Sequence, residues 1–403
     1  MTISNNKLLK AFALSGIVIS SVSVAWADGL YEAISQGKVS TDFRLRFENV
    51  SQNNALKDAS AITFRTRLGY SSAALQGWSF TVEMEDNRIV LGQGDFTVGP
   101  TGYNLGQYSV IADPEFTELD QGFIQYKNNA FTVKVGRQVI ALNGQRFVGH
   151  VGWRQDRQTF DALTTIYKPT KKLSAQYSYV TQRNRIFGEA ADIDAKDHLF
   201  SLSYTTSIGK LGVYSYLLEV DSPQSNALDT YGISLMGKKA MNDVTWLYHA
   251  EFASQSTDAG VNSFEANYML AELGTQYNDV TVKLGYEILG SDKGNYGFST
   301  PLATLHKFNG WSDQFLSTPT QGLKDLYVSG SSSGLGGNWL AVVHKFTADD
   351  SSELVDDLGT EVNLQYTTTF ADNFSAGIKY AMYKGDGGRV DADKVWLWLG
   401  TKF

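Results

Sequence analysis

From Trp78 to Glu85 every second residue is apolar: Trp78, Phe80, Val82 and Met84 alternate with Ser79, Thr81, Glu83 and Glu85. Wound as a helix, this segment would scatter its carboxylates around the whole circumference. Drawn out as a strand, it has one apolar and one polar face. The same alternation sets Phe64, Leu68 and Tyr70 against Thr63, Arg65 and Arg67. It also sets Phe374, Ala376, Ile378, Tyr380 and Met382 against Ser375, Gly377 and Lys379. Eighteen such segments start near residues 38, 61, 77, 118, 130, 158, 172, 196, 210, 229, 243, 263, 279, 323, 338, 357, 373 and 393. The chain is therefore expected to be all-β.

The links between these segments alternate in length. Short turns fall at 74–76, 127–129, 169–171, 207–209, 240–242, 277–278, 334–337 and 371–372, and the other links are longer, notably 90–117, 141–157, 184–195 and 290–322. Every second turn thus lies at the same end. A strand with one apolar face needs a dry partner for it, either a second sheet or hydrocarbon. Hydrocarbon leaves no water to satisfy an open sheet edge, so there the sheet must close. Aromatics near the strand ends (Tyr70, Trp78, Tyr126, Tyr167, Tyr380 and Trp396) read as an interfacial girdle, and the charged opposite faces suit a water-filled lumen. The expectation is a transmembrane antiparallel β-barrel of about 18 strands, with short periplasmic turns and long extracellular loops, in the bacterial outer membrane.

The two ends of the chain agree with that address. Residues 1–27 read as a secretory signal peptide: Lys7 and Lys10, an apolar stretch, then Ala25-Trp26-Ala27 as a cleavage site. The barrel would then span 28–403. The chain closes on Val395-Trp396-Leu397-Trp398-Leu399-Gly400-Thr401-Lys402-Phe403, an amphipathic strand with a terminal aromatic. It resembles the signal read by the barrel-assembly machinery, so that machinery and outer-membrane lipid are the expected partners. The formal net charge is -8, falling by two to -10 without the leader, and no long basic block is present, so nucleic acid is not an expected partner. The absence of Cys excludes disulfides and thiolate metal sites.

Strand parity predicts the lumen. The first strand points Ser40, Asp42, Arg44, Arg46 and Glu48 inward, the second Thr63, Arg65 and Arg67, and the third Ser79, Thr81, Glu83 and Glu85. Lys134, Lys283, Glu287 and Lys379 are further lumen candidates. Forked guanidinium donors suit carboxylates, so the arginines could guide an anionic solute. Equally, they could pair with Asp42, Glu48, Glu83 and Glu85 and stiffen the wall. No enzyme motif stands out. His150, His198, His249, His306 and His344 form no close zinc-ligand spacing, and no G-x-S-x-G elbow occurs. Asp349, Asp350, Asp356, Asp357, Asp386, Asp391 and Asp393 are placed in outer loops, where they read as solvated acids without calcium-loop spacing. No catalytic residue, cofactor or metal is expected.

Two segments depart from generic barrel sequence. One runs Gly136-Arg137-Gln138, Asn143-Gly144-Gln145-Arg146-Phe147-Val148-Gly149, Gly152-Trp153-Arg154-Gln155 and Gln158-Thr159-Phe160-Asp161. The other runs from Pro301 through His306, Phe308 and Trp311 to Asp313, Phe315, Thr318-Pro319, Gly322-Leu323, Asp325 and Tyr327. Both resemble the alginate export family of outer-membrane barrels. That resemblance implies an 18-stranded, monomeric, porin-like channel of a family whose name-giver passes a polyuronate through an arginine-lined constriction. It makes Arg44, Arg46, Arg65, Arg67, Arg137, Arg146 and Arg154 the cationic candidates, beside Glu83, Glu85 and Lys134 on the wall. Phe147, Trp153, His306, Phe308, Trp311 and Phe315 are constriction-loop candidates, which could pack or stack on sugar rings. The expected function is passive passage of small hydrophilic, anionic or oligosaccharide solutes. A barrel plugged by its own loops, serving as a binding or structural module, is the alternative, with a barrel enzyme or a secreted soluble β-protein behind it.

Overall fold

The computed structural model describes residues 23–99, 103–220, 226–259, 262–352 and 355–403. Most of the expected leader, 1–22, lies outside these residues. The expected cleavage point falls within a helix, α1 (Ser23–Ser35). Eighteen strands follow. The first nine are β1 (Lys38–Gln52), β2 (Ala59–Ser71), β3 (Trp78–Asp95), β4 (Phe116–Lys127), β5 (Phe131–Gln138), β6 (Thr159–Tyr167), β7 (Leu173–Asn184), β8 (Ile193–Thr206) and β9 (Gly209–Glu219). The rest are β10 (Asn226–Met241), β11 (Val244–Ala259), β12 (Asn262–Tyr277), β13 (Val280–Leu289), β14 (Leu323–Gly334), β15 (Gly337–Ser352), β16 (Val355–Phe370), β17 (Phe374–Lys384) and β18 (Ala392–Lys402). Each begins within three residues of the position read from the alternation.

Every strand pairs antiparallel with its sequence neighbours, and β1 closes the sheet by pairing with both β2 and β18. No edge is left, as hydrocarbon requires. By the usual orientation of such barrels, the short turns and α1 lie at the periplasmic end. There α1 is held by the Ala73 N–H donating to Ala33 O at 2.9 Å and by the Tyr70 hydroxyl donating to Ile34 O. Among the described residues no helix is long and apolar enough to cross a membrane.

The outward face is apolar, with Val82, Ile124, Val135, Leu163, Leu284, Leu397 and Leu399 exposed along it. At the short-turn end it carries aromatic pairs: Trp78 with Tyr126 at 5.2 Å, Phe131 with Tyr167 at 4.5 Å, and Trp339 with Tyr366 at 4.7 Å. Rings at this level suit the lipid–water boundary. Trp396, expected in this girdle, instead faces inward and is fully buried. β18 alternates two apolar faces, Trp396 and Trp398 against Leu397 and Leu399, so hydropathy alone could not choose between them. The aspartates expected in outer loops also move: Asp349, Asp350, Asp356, Asp357 and Asp393 lie in strands, and only Asp386 and Asp391 lie in a link.

Candidate functional site

Three links fold into the barrel: 96–99 with 103–115 after β3, 139–158 after β5 and 290–322 after β13. The 139–158 loop turns inward through Asn143, Gly144 and Gln145, all at positive φ. It then spans the interior. Phe147 packs among Tyr214 (5.3 Å), Tyr268 (5.1 Å) and Phe298 (5.8 Å). Arg146 donates to Glu287 of β13 at 2.6 Å and to Asn309 at 3.1 Å. Across the barrel, Arg154 binds Glu48 of β1 at 3.0 Å, and Arg157 binds Asp120 of β4 at 2.8 Å and also Glu83 of β3. The Gly149 N–H donates to Leu302 O at 2.7 Å, joining this loop to 290–322.

The 290–322 loop is anchored by an anion nest. Glu361 of β16 accepts the Trp311 N–H at 2.5 Å, the Ser312 N–H at 2.9 Å and the Ser312 hydroxyl at 2.5 Å. Gly310 makes this possible: its φ is +87°, and a Cβ there would lie 2.3 Å from the Glu361 carboxylate. Phe315 sits on Phe346 at 4.5 Å. His306 stacks flat on Trp153 at 4.7 Å, which brings the two loops together. Its Nε2 lies 3.1 Å from Lys379 Nζ and its Nδ1 2.7 Å from Asp313. Nε2 must accept from the amine, so Nδ1 carries the proton and donates to Asp313. Burial, outweighing Asp313, holds His306 down at about 3. Burial pushes Asp313 up, but Lys394, His306 and Arg154 together hold it well below the usual carboxylate range. Lys379 itself lies 3.8 Å from the centre of the Trp153 ring and 4.2 Å from that of Trp311.

The arginines of β1 and β2 come together as parity implies, but they face this loop network. Arg44 donates to Gln155 at 2.8 Å and to the Arg154 carbonyl. Arg46 is wholly buried, 3.2 Å from Asp113 and 4.3 Å from the Trp153 ring centre. Arg65 binds Asp42 at 2.5 Å, and Arg67 binds Glu85 at 2.6 Å. Guanidinium groups in a low-dielectric interior need counter-charges, and Asp113, Asp42 and Glu85 supply them to Arg46, Arg65 and Arg67, while Arg44 is held by neutral oxygens of the loop. Lys134 points inward over Phe123 at 4.5 Å.

Arg137 corrects the expectation for the pore wall. It shares the outward face of β5 with Val135, and it forks onto Asp161 at 2.8 and 3.2 Å. The alternation Val133, Val135, Arg137 forces that direction. Asp113, Arg157, Asp313 and Lys394 were missed as site residues. The first three lie in inward loops, where no period tells direction. For Arg157 the dense charge run Arg154-Gln155-Asp156-Arg157, in a loop whose other charged residue is Arg146, was the available signal.

Between these loops and the wall from β10 to β17 lies a cavity of about 690 Å³. It extends from Arg146, Phe308 and Trp311 past Tyr327 to Thr281 and Ser331, toward the short-turn end. Its four carboxylates are tied down: Glu287 to Arg146, Asp325 to His344 at 2.9 Å, Glu272 to Lys283 at 3.0 Å, and Glu251 by the Tyr214 hydroxyl at 2.8 Å. Lys307 is exposed, and its amine donates to the Gly144 carbonyl at 2.8 Å. The Lys283 side chain keeps 35% of its surface exposed. Of the arginine candidates only Arg146 lines this space. A hollow of about 820 Å³ outside the barrel, between α1 and the apolar face of β3 and β4, faces lipid and has almost no polar lining. Among the described residues no three carboxylate or imidazole groups converge as a metal-ligand set.

A closed 18-strand sheet with a lipid-compatible exterior, inward loops and a polar cavity defines a porin-like channel barrel of the outer membrane. Among solved structures the chain is similar to OccK9 (OpdG) of Pseudomonas aeruginosa, with a TM-score of 0.72 at 13% identity, covering 92% of this chain and 99% of that one. It is also similar to OccAB4 of Acinetobacter baumannii, with a TM-score of 0.73 at 13% identity over 91% and 98%. A third similar structure is Pseudomonas aeruginosa OpdK with vanillate, at 0.69 and 14% over 91% and 98%. These identities speak for the fold. The alginate export family model matches residues 35–287, and the chain belongs to that family. The second sequence motif lies beyond the matched residues. No curated protein matches the chain.

Proposed function

We propose that this barrel passes small hydrophilic solutes passively across the outer membrane, with anionic and carbohydrate-like solutes favoured. The observation that carries this reading is the 690 Å³ cavity beside the inward loops, where the exposed Lys307 offers an amine while Glu287, Asp325 and Glu272 are held by Arg146, His344 and Lys283. An anion meets accessible positive charge there, and Phe308, Trp311 and Tyr327 offer faces for a ring. OpdK was solved with vanillate, an aromatic carboxylate, and a solute of that chemistry suits these groups.

The test is planar-bilayer conductance of the refolded protein, with the reversal potential read in a salt gradient. Steady conductance with anion preference is expected. A folded barrel without conductance would overturn the channel and favour the loop-plugged module. The density of ion pairs that tie 139–158 and 290–322 across the interior supports that second reading.

A further inference from the structure

Where the two large loops meet, cations outnumber the carboxylates that hold them. Arg46 binds Asp113 at 3.2 Å, Arg154 binds Glu48 at 3.0 Å, and Lys394 binds Asp313 at 2.9 Å. Arg44 and Lys379 are left over. Arg44 spends its donors on Gln155 and on the carbonyls of Gly152 and Arg154. Lys379 of β17 is differently placed: it is only 5% exposed, and among the described residues it forms no ion pair. Its amine donates to His306 Nε2 at 3.1 Å. Its other close neighbours are ring faces, with the centres of Trp153 at 3.8 Å and Trp311 at 4.2 Å. An ammonium carries three N–H donors, and one is used here. The indole N–H groups of Trp153 and Trp396, whose rings flank this amine, meet no acceptor either.

The carboxylates nearby are engaged. Asp313, on the far side of the His306 ring, is shared by Arg154 and Lys394. Glu361 spends its oxygens on the Trp311 and Ser312 donors. Burying a charge without a partner is costly, and ring faces offset only part of that cost. Lys379 also lines the 690 Å³ cavity, which Arg44 does not. Of the other cations in that lining, Arg146 and Lys283 are held by Glu287 and Glu272, and Lys307 is exposed, where water solvates it. An anion entering the cavity therefore gains most at Lys379, the cation with neither a carboxylate nor bulk water.

We propose that Lys379 is the residue that selects the solute: the carboxylate of a ring-bearing solute supplies the missing counter-charge as it passes, with its ring against Trp311. The paired arginines hold the loops in place and leave the solute to this amine. The assignment rests on the channel reading and names the residue that gives the channel its preference.

The probes are benzoate and its uncharged counterpart benzamide, added during planar-bilayer recording of the refolded barrel. Benzoate should obstruct the wild-type current, and benzamide should need about 10- to 100-fold more, the worth of a hydrogen bond to a charged group. Lys379→Met keeps the stem among the indole rings and removes the charge. Its block by benzoate should weaken by about 10- to 100-fold, and its unfolding temperature should hold or rise, because an uncompensated buried charge is gone. Lys379→Gln should lose the block in the same way, so a folding failure in one variant leaves the other informative. Equal block by benzoate and benzamide overturns the assignment. Block retained in the folded variants also overturns it, and a lowered unfolding temperature beside retained block would make Lys379 a brace. Block lost in Lys307→Ala but kept in Lys379→Met overturns it in favour of the exposed amine. A steady current that benzoate leaves untouched overturns the assignment and leaves the channel standing. A folded barrel without any current overturns the channel reading, and this assignment with it.

Discussion

Arg154 and Asp313 meet at 3.0 Å inside the barrel, one from each of the two large inward loops. Arg154 also holds Glu48 of β1 at 3.0 Å, and Asp313 also holds Lys394 of β18 at 2.9 Å. The contact between the loops is therefore wired to both strands that seal the sheet.

Removing one member of this hub strands buried charge. Arg154→Ala leaves Glu48 and Asp313 short of a partner, a class of change that costs about 3–5 kcal/mol. The lipid-embedded wall keeps its own hydrogen bonds, so the expected outcome is a folded barrel with noisy, enlarged single-channel current. Unchanged current in folded Arg154→Ala would show that the hub does not shape the pore.

Selectivity should follow the cavity lysines. Replacing Lys283 and Lys307 by Ala is expected to move the reversal potential toward zero with little change in thermal unfolding, since exposed pairs contribute about 0–1 kcal/mol. Arg65→Ala with Arg67→Ala should do the reverse: Glu85 loses both its guanidinium partners, Asp42 keeps only the exposed Lys402, and the unfolding temperature falls. An anion preference lost only in the arginine double variant would return the pore to the β1–β2 wall.

The outward pair Arg137–Asp161 makes a separate prediction. Arg137→Ala should leave ion selectivity unchanged. Val135→Arg, two residues along the same face, places a charge against hydrocarbon and should cost about 2–4 kcal/mol if it lies near the bilayer midplane. Refolding titrations into lipid vesicles measure both. A changed reversal potential in Arg137→Ala would place this side chain in the pore after all.

His306 gives the stability of the barrel an acid limb. Its folded value of about 3 lies below the ordinary histidine value of about 6.5, so the neutral ring is the folded form. The stability it contributes is complete above about pH 6.5 and is lost as pH falls toward about 3, by up to about 1.4 kcal/mol per unit. Thermal unfolding of the wild type should steepen with acid through this window, and His306→Gln should flatten that limb. Identical acid slopes for the two proteins would refute the assignment.

Most of the barrel was legible because alternation is a property of each strand alone. Phe64, Arg65, Thr66, Arg67 and Leu68 declare their directions without reference to any neighbour. Trp396 was not legible by hydropathy, though Lys394, two residues earlier on the same face, pointed the right way. Arg137 was readable from Val133 and Val135, and the motif around it pulled the reading inward. The site itself was mostly hidden. Asp113, Arg157 and Asp313 sit in loops without a period, and they acquire meaning only from β1, β3, β4 and β18, which lie far off in sequence. Parity gave the inward arginines their direction, but whether a loop would cover them was beyond its reach.

Pairing of β1 with β18 joins the first strand of the barrel to the last. Glu48 sits opposite Trp396 in that seam, with Lys394 two residues earlier in β18. The hub formed by Glu48, Arg154, Asp313 and Lys394 therefore draws on both sides of the final join. Its full set of bonds exists only in a cylinder that has already been sealed. In this chain the brace between the two inward loops is a product of closure: a half-zipped sheet has strands, turns and a greasy exterior, but nothing to hold its loops across the interior.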